Sequence, residues 1–572
     1  MRFARGIRKV SPRWLCIGAF LAIHLVLGID AAGRLTVTHD EYWHLPAGLL
    51  AWKAGRFDAD NLNPPLTRMW DALPLLFTSA RVDGSLPAGD AFGLGDRFSA
   101  DNRAQYDRDL TLARSMNLLF SVLTGLLLAV WANELFGAKS ACLAAAVWCC
   151  CPTALAHAAL VTPDMGATCL FTASLFFCWR FSNRPAGRGA FILGTLLGLA
   201  QLAKFTNLLL FPLCAATWFI VRARNSAVIR RSWKTNLTQA ICAAAIAAAV
   251  LNAGYFFRGS FSALRTYHFQ SRLFGRMAQV FHSLDGLPVP LPRDYVEGLD
   301  HQQRMIESLH PVYLDGIWSQ HGFADYYLRA LEYKLPHAVQ ALVIALALCL
   351  AFPGGLARLG RVQLLLWIPV IALLATASSI GMQLGIRYVL PTLPLAYLAV
   401  SQTARWFVWK RFPIRTLAVT PLIIALPFSL RYHPHHLAYF NELAGGPEGG
   451  RAHLLDSNLD WGQDLRALAD YLHQRHIDHI GLAYFGMLPP SELGIHYRLP
   501  PSYRPEEGWF AVSANFLYGR PHTIRNPDGS LRSANFDEFG YFRHFSPIAR
   551  IGYSIEVFHI SFGKSPASGR AD

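Results

Sequence analysis

Apolar runs long enough to cross roughly 30 Å of hydrocarbon alternate with polar connections along the first three-quarters of the chain. They lie near 14–32, 115–136, 139–157, 164–181, 189–203, 206–221, 237–257, 336–353, 363–380, 387–404 and 414–430. The pattern predicts about eleven membrane spans; the short pair around Lys204 can also be read as one bent hairpin. With the N-terminus in the cytoplasm and sides alternating, Arg180, Arg184 and Arg188 fall on one side. So do Arg222, Arg224, Arg230, Arg231 and Lys234, then Arg358 and Arg361, then Arg405, Lys410, Arg411 and Arg415. Short basic loops gather on the cytoplasmic side of membrane proteins, so charge supports the segmentation.

Three long polar segments, roughly 33–112, 258–335 and 431–572, then lie outside. In the last, Asp464–Arg475 predicts a helix with Leu465, Leu468 and Leu472 on one face. Strand-like runs follow at Ile480–Phe485, Trp509–Ser513 and Ile555–Ile560. The expected fold class is an α-helical polytopic membrane module over 1–430, followed by an extracytoplasmic α/β domain over 431–572. Gly563–Asp572 reads as a disordered tail.

Composition agrees. The chain has 572 residues, 53% of them hydrophobic, with a mean hydropathy of +0.26. Charged residues make up 16%, against about 25% in soluble domains. The net charge of +15 sits beside apolar runs, which excludes a nucleic-acid face and fits orientation in the membrane or attraction to anionic lipid. All ten cysteines lie inside apolar runs, so neither a disulfide framework nor a zinc ribbon is supported. Basic Met1–Lys9 and the apolar run from Trp14 read as an uncleaved signal anchor, although Ala31-Ala32-Gly33 offers small residues to a peptidase.

Ionisable residues at membrane depth are costly and suggest function. Asp40 and Glu41 follow the first span within Thr38-His39-Asp40-Glu41-Tyr42-Trp43-His44. Asp164 opens the fourth within Val161-Thr162-Pro163-Asp164-Met165, Lys204 interrupts the fifth and sixth, and Arg387 opens the tenth. Singly, each has a plain alternative: Asp164 as a helix cap, Lys204 and Arg387 snorkelling to the interface, Asp40-Glu41 as a solvated loop start. Together they place acids and cations at the outer edge, as a general base and an anionic phosphate require.

The chain also resembles a family. Asp40-Glu41 is followed by Gly55, Asn63-Pro64-Pro65-Leu66 and Leu73-Pro74-Leu75-Leu76. Further on come Thr162-Pro163-Asp164, Leu202-Ala203-Lys204-Phe205-Thr206 and Arg387-Tyr388-Val389-Leu390-Pro391. In this order, over about residues 10–430, they resemble GT-C membrane glycosyltransferases of the protein O-mannosyltransferase and aminoarabinose transferase branch (glycosyltransferase family 39 and relatives). The resemblance implies an inverting transfer of a hexosyl or pentosyl unit from a polyprenyl-phosphate donor to an acceptor hydroxyl. Asp40 would be the general base, its pKa raised toward the working pH by a dry membrane edge. Glu41 and Asp164 would orient acceptor or sugar, and Lys204 and Arg387 would hold the leaving phosphate. His44, Asn63 and Tyr388, within the same motifs, are the substrate-contact candidates. Relatives often carry a basic residue where Asn63 stands, so Arg68, about one turn on, is the substitute phosphate contact. No nucleotide or metal cofactor is required, although a divalent cation is compatible. Partners would be the lipid bilayer, the polyprenyl-phosphate-linked sugar and a glycan, lipid or protein acceptor, with no nucleic acid. Terse loops and cysteine-free outer segments point to a bacterial inner membrane and to undecaprenyl phosphate.

Two motifs stand apart. Asp456-Ser457-Asn458-Leu459-Asp460-Trp461-Gly462-Gln463-Asp464 has polar residues at alternate positions like a calcium loop, but its Gly is one place late and Ala467 stands where the closing Glu belongs. It reads as a turn and helix cap. His433, His435 and His436 suggest a metal or, beside the last span, interfacial polar residues. Among rival functions, a secondary transporter would show paired broken helices in matching halves, which are not visible here; an assembly subunit leaves the charged cluster unexplained.

Overall fold

The computed structural model describes residues 11–222, 233–351, 355–408 and 430–562. The predicted span at 414–430, the basic residues Arg224, Arg230, Arg231, Lys410, Arg411 and Arg415, the signal-anchor segment Met1–Lys9 and the tail Gly563–Asp572 lie wholly or almost wholly outside them.

Five described helices are long and apolar enough to cross a membrane: Pro12–Arg34, Tyr106–Phe136, Phe205–Arg222, Lys234–Gly254 and Gly360–Ser378. Two bent pairs raise this to seven: Ala138–Cys149 with Pro152–Ala158, bent 62°, and Tyr326–Lys334 with His337–Ala351, bent 116°. Proline explains both bends, because its ring fixes φ and it donates no backbone hydrogen bond: Pro152 begins the second helix of one pair and Pro336 separates the halves of the other. The predicted run 189–203 forms the shorter helix Gly187–Ala203, 164–181 falls within Pro163–Asn183, and 387–404 breaks into short turns around Thr392–Ser401.

In chain order the helices are α1 (Pro12–Arg34), α2 (Glu41–Ala54), α3 (Leu66–Ala72), α4 (Ala91–Asp101) and α5 (Tyr106–Phe136). Then come α6 (Ala138–Cys149), α7 (Pro152–Ala158), α8 (Pro163–Asn183), α9 (Gly187–Ala203), α10 (Leu210–Arg222) and α11 (Trp233–Gly254). The second polar segment carries α12 (Arg272–Val280), α13 (Arg293–Glu307), a hairpin of β1 (Val312–Leu314) and β2 (Ile317–Ser319), and α14 (Tyr326–Lys334). α15 (His337–Ala351), α16 (Gly355–Ser378) and α17 (Thr392–Ser401) complete the bundle. α8 lies at its centre with most side chains buried. α9 approaches α11 through Gly194 and Gly198: a Cβ there would come within 2.6 Å and 2.7 Å of the carbonyls of Ala243 and Ala247. Small residues four apart allow this backbone approach between apolar helices.

The C-terminal part contains α18 (Leu465–Gln474), which buries Leu465, Leu468 and Leu472. Its strands are β3 (His479–Ala483), β4 (His496–Arg498), β5 (Gly508–Ser513), β6 (His522–Arg525), β7 (Leu531–Ala534), β8 (Ala549–Ile551) and β9 (Ile555–Ile560). Five form a mixed sheet in the order β4-β3-β5-β9-β8; β6 and β7 pair as a separate hairpin. One apolar core joins Leu468, Ile480 and Leu482 of this part to Val37, Tyr42 and Leu49 of the first polar segment. The sheet is thereby fixed to the loop that carries Asp40.

Candidate active site

A cavity of about 540 Å³ opens where the first two polar segments meet the helix ends. Asp40, Asp164, Lys204 and Arg387 all line it. Each is delivered by a break in regular structure. After α1 the chain runs extended, and Asp40 precedes α2 without capping it. Pro163 starts α8 and sets Asp164 in its first turn, where the carboxylate makes no cap. Lys204 is the extended residue between α9 and a short 3-10 turn. Arg387 stands in another such turn behind Gly385, whose φ of 114° favours glycine.

The four form two ion pairs. Arg387 Nη1 lies 2.7 Å from Asp40 Oδ2, and Lys204 Nζ lies 2.6 Å from Asp164 Oδ1. Tyr388 joins them: Lys204 sits 4.7 Å and Arg387 5.4 Å from its ring centre. Each pair leaves one buried polar atom unmatched, Arg387 Nε and Asp164 Oδ2. Such atoms cost free energy unless a ligand or water meets them. Much of the remaining lining is apolar, with Leu208, Leu209, Leu273, Ile306 and Ile380.

Asp40 departs from expectation in its charge state. Burial pushes its carboxyl upward, but the Arg387 guanidinium, with His39 and His44, outweighs burial and holds it well below the usual carboxylate range. The expected raised pKa is therefore corrected: the dry edge is present, but so is a cation in contact. His39 Nδ1 also meets Asp40 Oδ1 at 3.2 Å.

Two further assignments change. Glu41 does not line the cavity; it is fully buried and bonded to Arg114 at 2.6 Å. Its carboxylate also accepts from the backbone and hydroxyl of Thr38, each at 2.9 Å, and from the Val161 amide at 2.7 Å. Tying the turn before Asp40 to the turn before Asp164, Glu41 is a positioning residue rather than a substrate contact. Arg68 likewise stays off the main cavity wall: it pairs with Asp60 at 2.9 Å and lines a small pocket beside His44 and Asn63. His44, Asn63 and Tyr388 do line the cavity, and His44 Nε2 lies 3.5 Å from Asp60.

Trp461 escaped the sequence reading. Its ring underlies the Arg387 guanidinium at 4.3 Å, and its carbonyl accepts from the His39 amide at 2.8 Å. The surrounding block binds both halves of the site. The Gln463 carbonyl takes the Thr36 amide at 2.9 Å, and Asn458 Oδ1 takes the Ile386 amide at 2.9 Å. Within the block, Asp456 pairs with Arg520 at 2.6 Å, as a turn rather than a cation loop would. Arg114 was missed too, although an ionisable residue at the mouth of a span was a usable signal. His433 meets Asp30 at 2.6 Å and His435 meets Asp464 at 3.0 Å. Among the described residues no group of three or more His, Cys, Asp or Glu side chains could hold a metal ion.

Comparison with known proteins adds a partial family match. No curated protein matches the chain. Similar solved structures include ArnT from Cupriavidus metallidurans bound to undecaprenyl phosphate, with 12% identity, 96% of this chain and 98% of that chain covered, and a TM-score of 0.45. The apo state of the same enzyme gives 13%, 96%, 98% and 0.42. AglB, the archaeal oligosaccharyltransferase from Archaeoglobus fulgidus in complex with an inhibitory peptide and a dolichol-phosphate, gives 12%, 91%, 74% and 0.41. Residues 107–252 match the family model described as dolichyl-phosphate-mannose-protein mannosyltransferase. Over that stretch the chain is similar to this GT-C family of membrane glycosyltransferases, the resemblance that its motifs imply.

Proposed function

We propose that the chain is an inverting glycosyltransferase moving a sugar from a polyprenyl-phosphate donor to an acceptor hydroxyl on the periplasmic side of a bacterial inner membrane. The observation that carries this reading is the pair of carboxylate–cation contacts, Asp40–Arg387 and Asp164–Lys204, in one cavity whose lining is otherwise largely apolar. The charged groups suit an attacking hydroxyl and a leaving phosphate; the apolar lining suits a lipid chain. The match of residues 107–252 to a family named for a dolichyl-phosphate sugar supports the same donor class.

In the proposed step Asp40 removes the proton from the acceptor hydroxyl as its oxygen attacks the anomeric carbon. The bond from that carbon to the phosphate oxygen breaks, and the electron pair leaves with the polyprenyl phosphate. Arg387 and Lys204 offset the added negative charge, an interaction stronger in the transition state than in the ground state. Asp164 lines the cavity, and its buried, unmatched Oδ2 would accept from a sugar hydroxyl. As written, the step uses no nucleotide or metal. Residues 1–430 would form the catalytic membrane module, N-terminus cytoplasmic, and 431–572 an extracytoplasmic domain that braces it. The test is Asp40→Asn in vesicles supplied with a polyprenyl-phosphate sugar: expression unchanged and transfer abolished. Transfer near the wild-type rate would remove Asp40 as the base.

A further inference from the structure

An exposed apolar surface extends from the cavity mouth beyond the residues that line the cavity. α12 carries Leu273, Met277 and Val280 at helical spacing on one side; they are 47%, 44% and 76% exposed, so no core covers that side. The neighbouring face presents Arg272, Arg276 and Gln279, also exposed. Leu273 and the adjoining Phe274 reach the cavity as well.

The exposed apolar surface continues to a membrane span. α11 ends at Gly254, and Phe256 and Phe257 follow at once, both exposed. Phe261, 62% exposed, bonds through its amide to the Val289 carbonyl at 2.9 Å, beside exposed Leu287. Exposed apolar side chains thus recur from the end of a span, Phe256 and Phe257, through Phe261 and Leu287 to the helix at the cavity mouth. Four exposed arginines, Arg258, Arg265, Arg272 and Arg276, border them, of which Arg272 also meets Glu307 at 3.4 Å. A second copy of this surface would set those charges against their like. Anionic head groups would satisfy them, and acyl chains would cover the apolar side.

We propose that α12 lies in the head-group boundary of the leaflet at the cavity end of the spans, with Leu273, Met277 and Val280 among the acyl chains, so that the cavity opens directly into that leaflet. A lipid-linked donor would then reach Arg387 and Lys204 without leaving the membrane. That consequence rests on the sugar-transfer reading; the placement of the helix does not.

Nitroxide labels test it in the full chain, with Cys16, Cys142, Cys242 and Cys349 replaced by serine and the protein in vesicles of phosphatidylethanolamine and phosphatidylglycerol. The ratio of oxygen to nickel-chelate collisions should be several-fold higher at Met277→Cys than at Gln279→Cys, on the opposite side of the helix. Equal, water-like ratios overturn the proposal. Dipolar coupling between labels on two copies also overturns it, by assigning the surface to a dimer. If Met277→Cys fails to fold, Val280→Cys gives the same reading. A lipid-like ratio in vesicles that transfer no sugar supports the placement and sinks only the sugar-transfer reading.

Discussion

Arg387 Nη1 and Asp40 Oδ2 meet at 2.7 Å across 347 residues of chain. The contact joins the group proposed to take the acceptor proton to a group proposed to hold the leaving phosphate. A phosphate that bonds to Arg387 competes with Asp40 for the same guanidinium. Donor binding would therefore loosen the hold on the carboxylate and let its proton affinity rise when a base is needed.

Replacing Arg387 separates the two effects. In Arg387→Ala burial acts on Asp40 with its main counter-charge gone, so the carboxyl titrates at higher pH than in the wild type. The base must be ionised, so the acid limb of kcat/KM should move to higher pH while KM for the donor rises. An unmoved limb, from rates measured between pH 4 and 8, would show that Arg387 does not govern Asp40.

Trp461 should matter through Arg387. Trp461→Leu removes the ring under the guanidinium, a cation–π contact of about 1 kcal/mol, or roughly fivefold in donor affinity. Trp461→Phe should retain most of it. Donor KM and acceptor KM, measured separately, check this: a loss confined to the acceptor would contradict the assignment.

Glu41 predicts instability rather than a defect in chemistry. Glu41→Gln leaves Arg114 buried without its counter-charge, at a cost of about 3–5 kcal/mol. Thermal unfolding in detergent should show a large drop, whereas molecules that remain folded should keep the wild-type donor KM.

Gly385→Ala tests the turn that presents Arg387. At φ 114° a Cβ is strained, and it would stand 2.5 Å from Ser457 Oγ; the expected cost is about 1–3 kcal/mol. Unfolding and donor affinity should both worsen, and an unchanged affinity would mean that Arg387 adjusts independently of the turn.

Asp460 gives a pH test outside the cavity. Burial pushes its carboxyl up from 3.8 to about 7. Folding then binds a proton that the unfolded chain releases, so this group's contribution falls as pH rises from 3.8 toward 7 and stays low above that. The melting temperature of Asp460→Asn relative to wild type should therefore increase between pH 5 and pH 8.

Most of the cavity was legible because charge in an apolar run is conspicuous: Asp40, Asp164, Lys204 and Arg387 all meet there. Their pairing was not legible. Sequence gives depth and side but not which carboxylate faces which cation, so the pKa of Asp40 was expected in the wrong direction. Glu41 and Arg68 do not line the cavity and pair instead with Arg114 and Asp60, and only three-dimensional contact reveals such partners. Five described helices coincide with apolar runs read as spans, whereas the bends at Pro152 and Pro336 depend on local backbone geometry that hydropathy does not encode.

The floor under Arg387 comes from beyond residue 430. Cutting the chain at residue 430 would discard Trp461 and the carbonyl that anchors His39. The stump could still thread the bilayer, yet its guanidinium would lack a plank to rest on. On the proposed function, residues 431–572 would then be a working half of the jaw rather than an appendage to it.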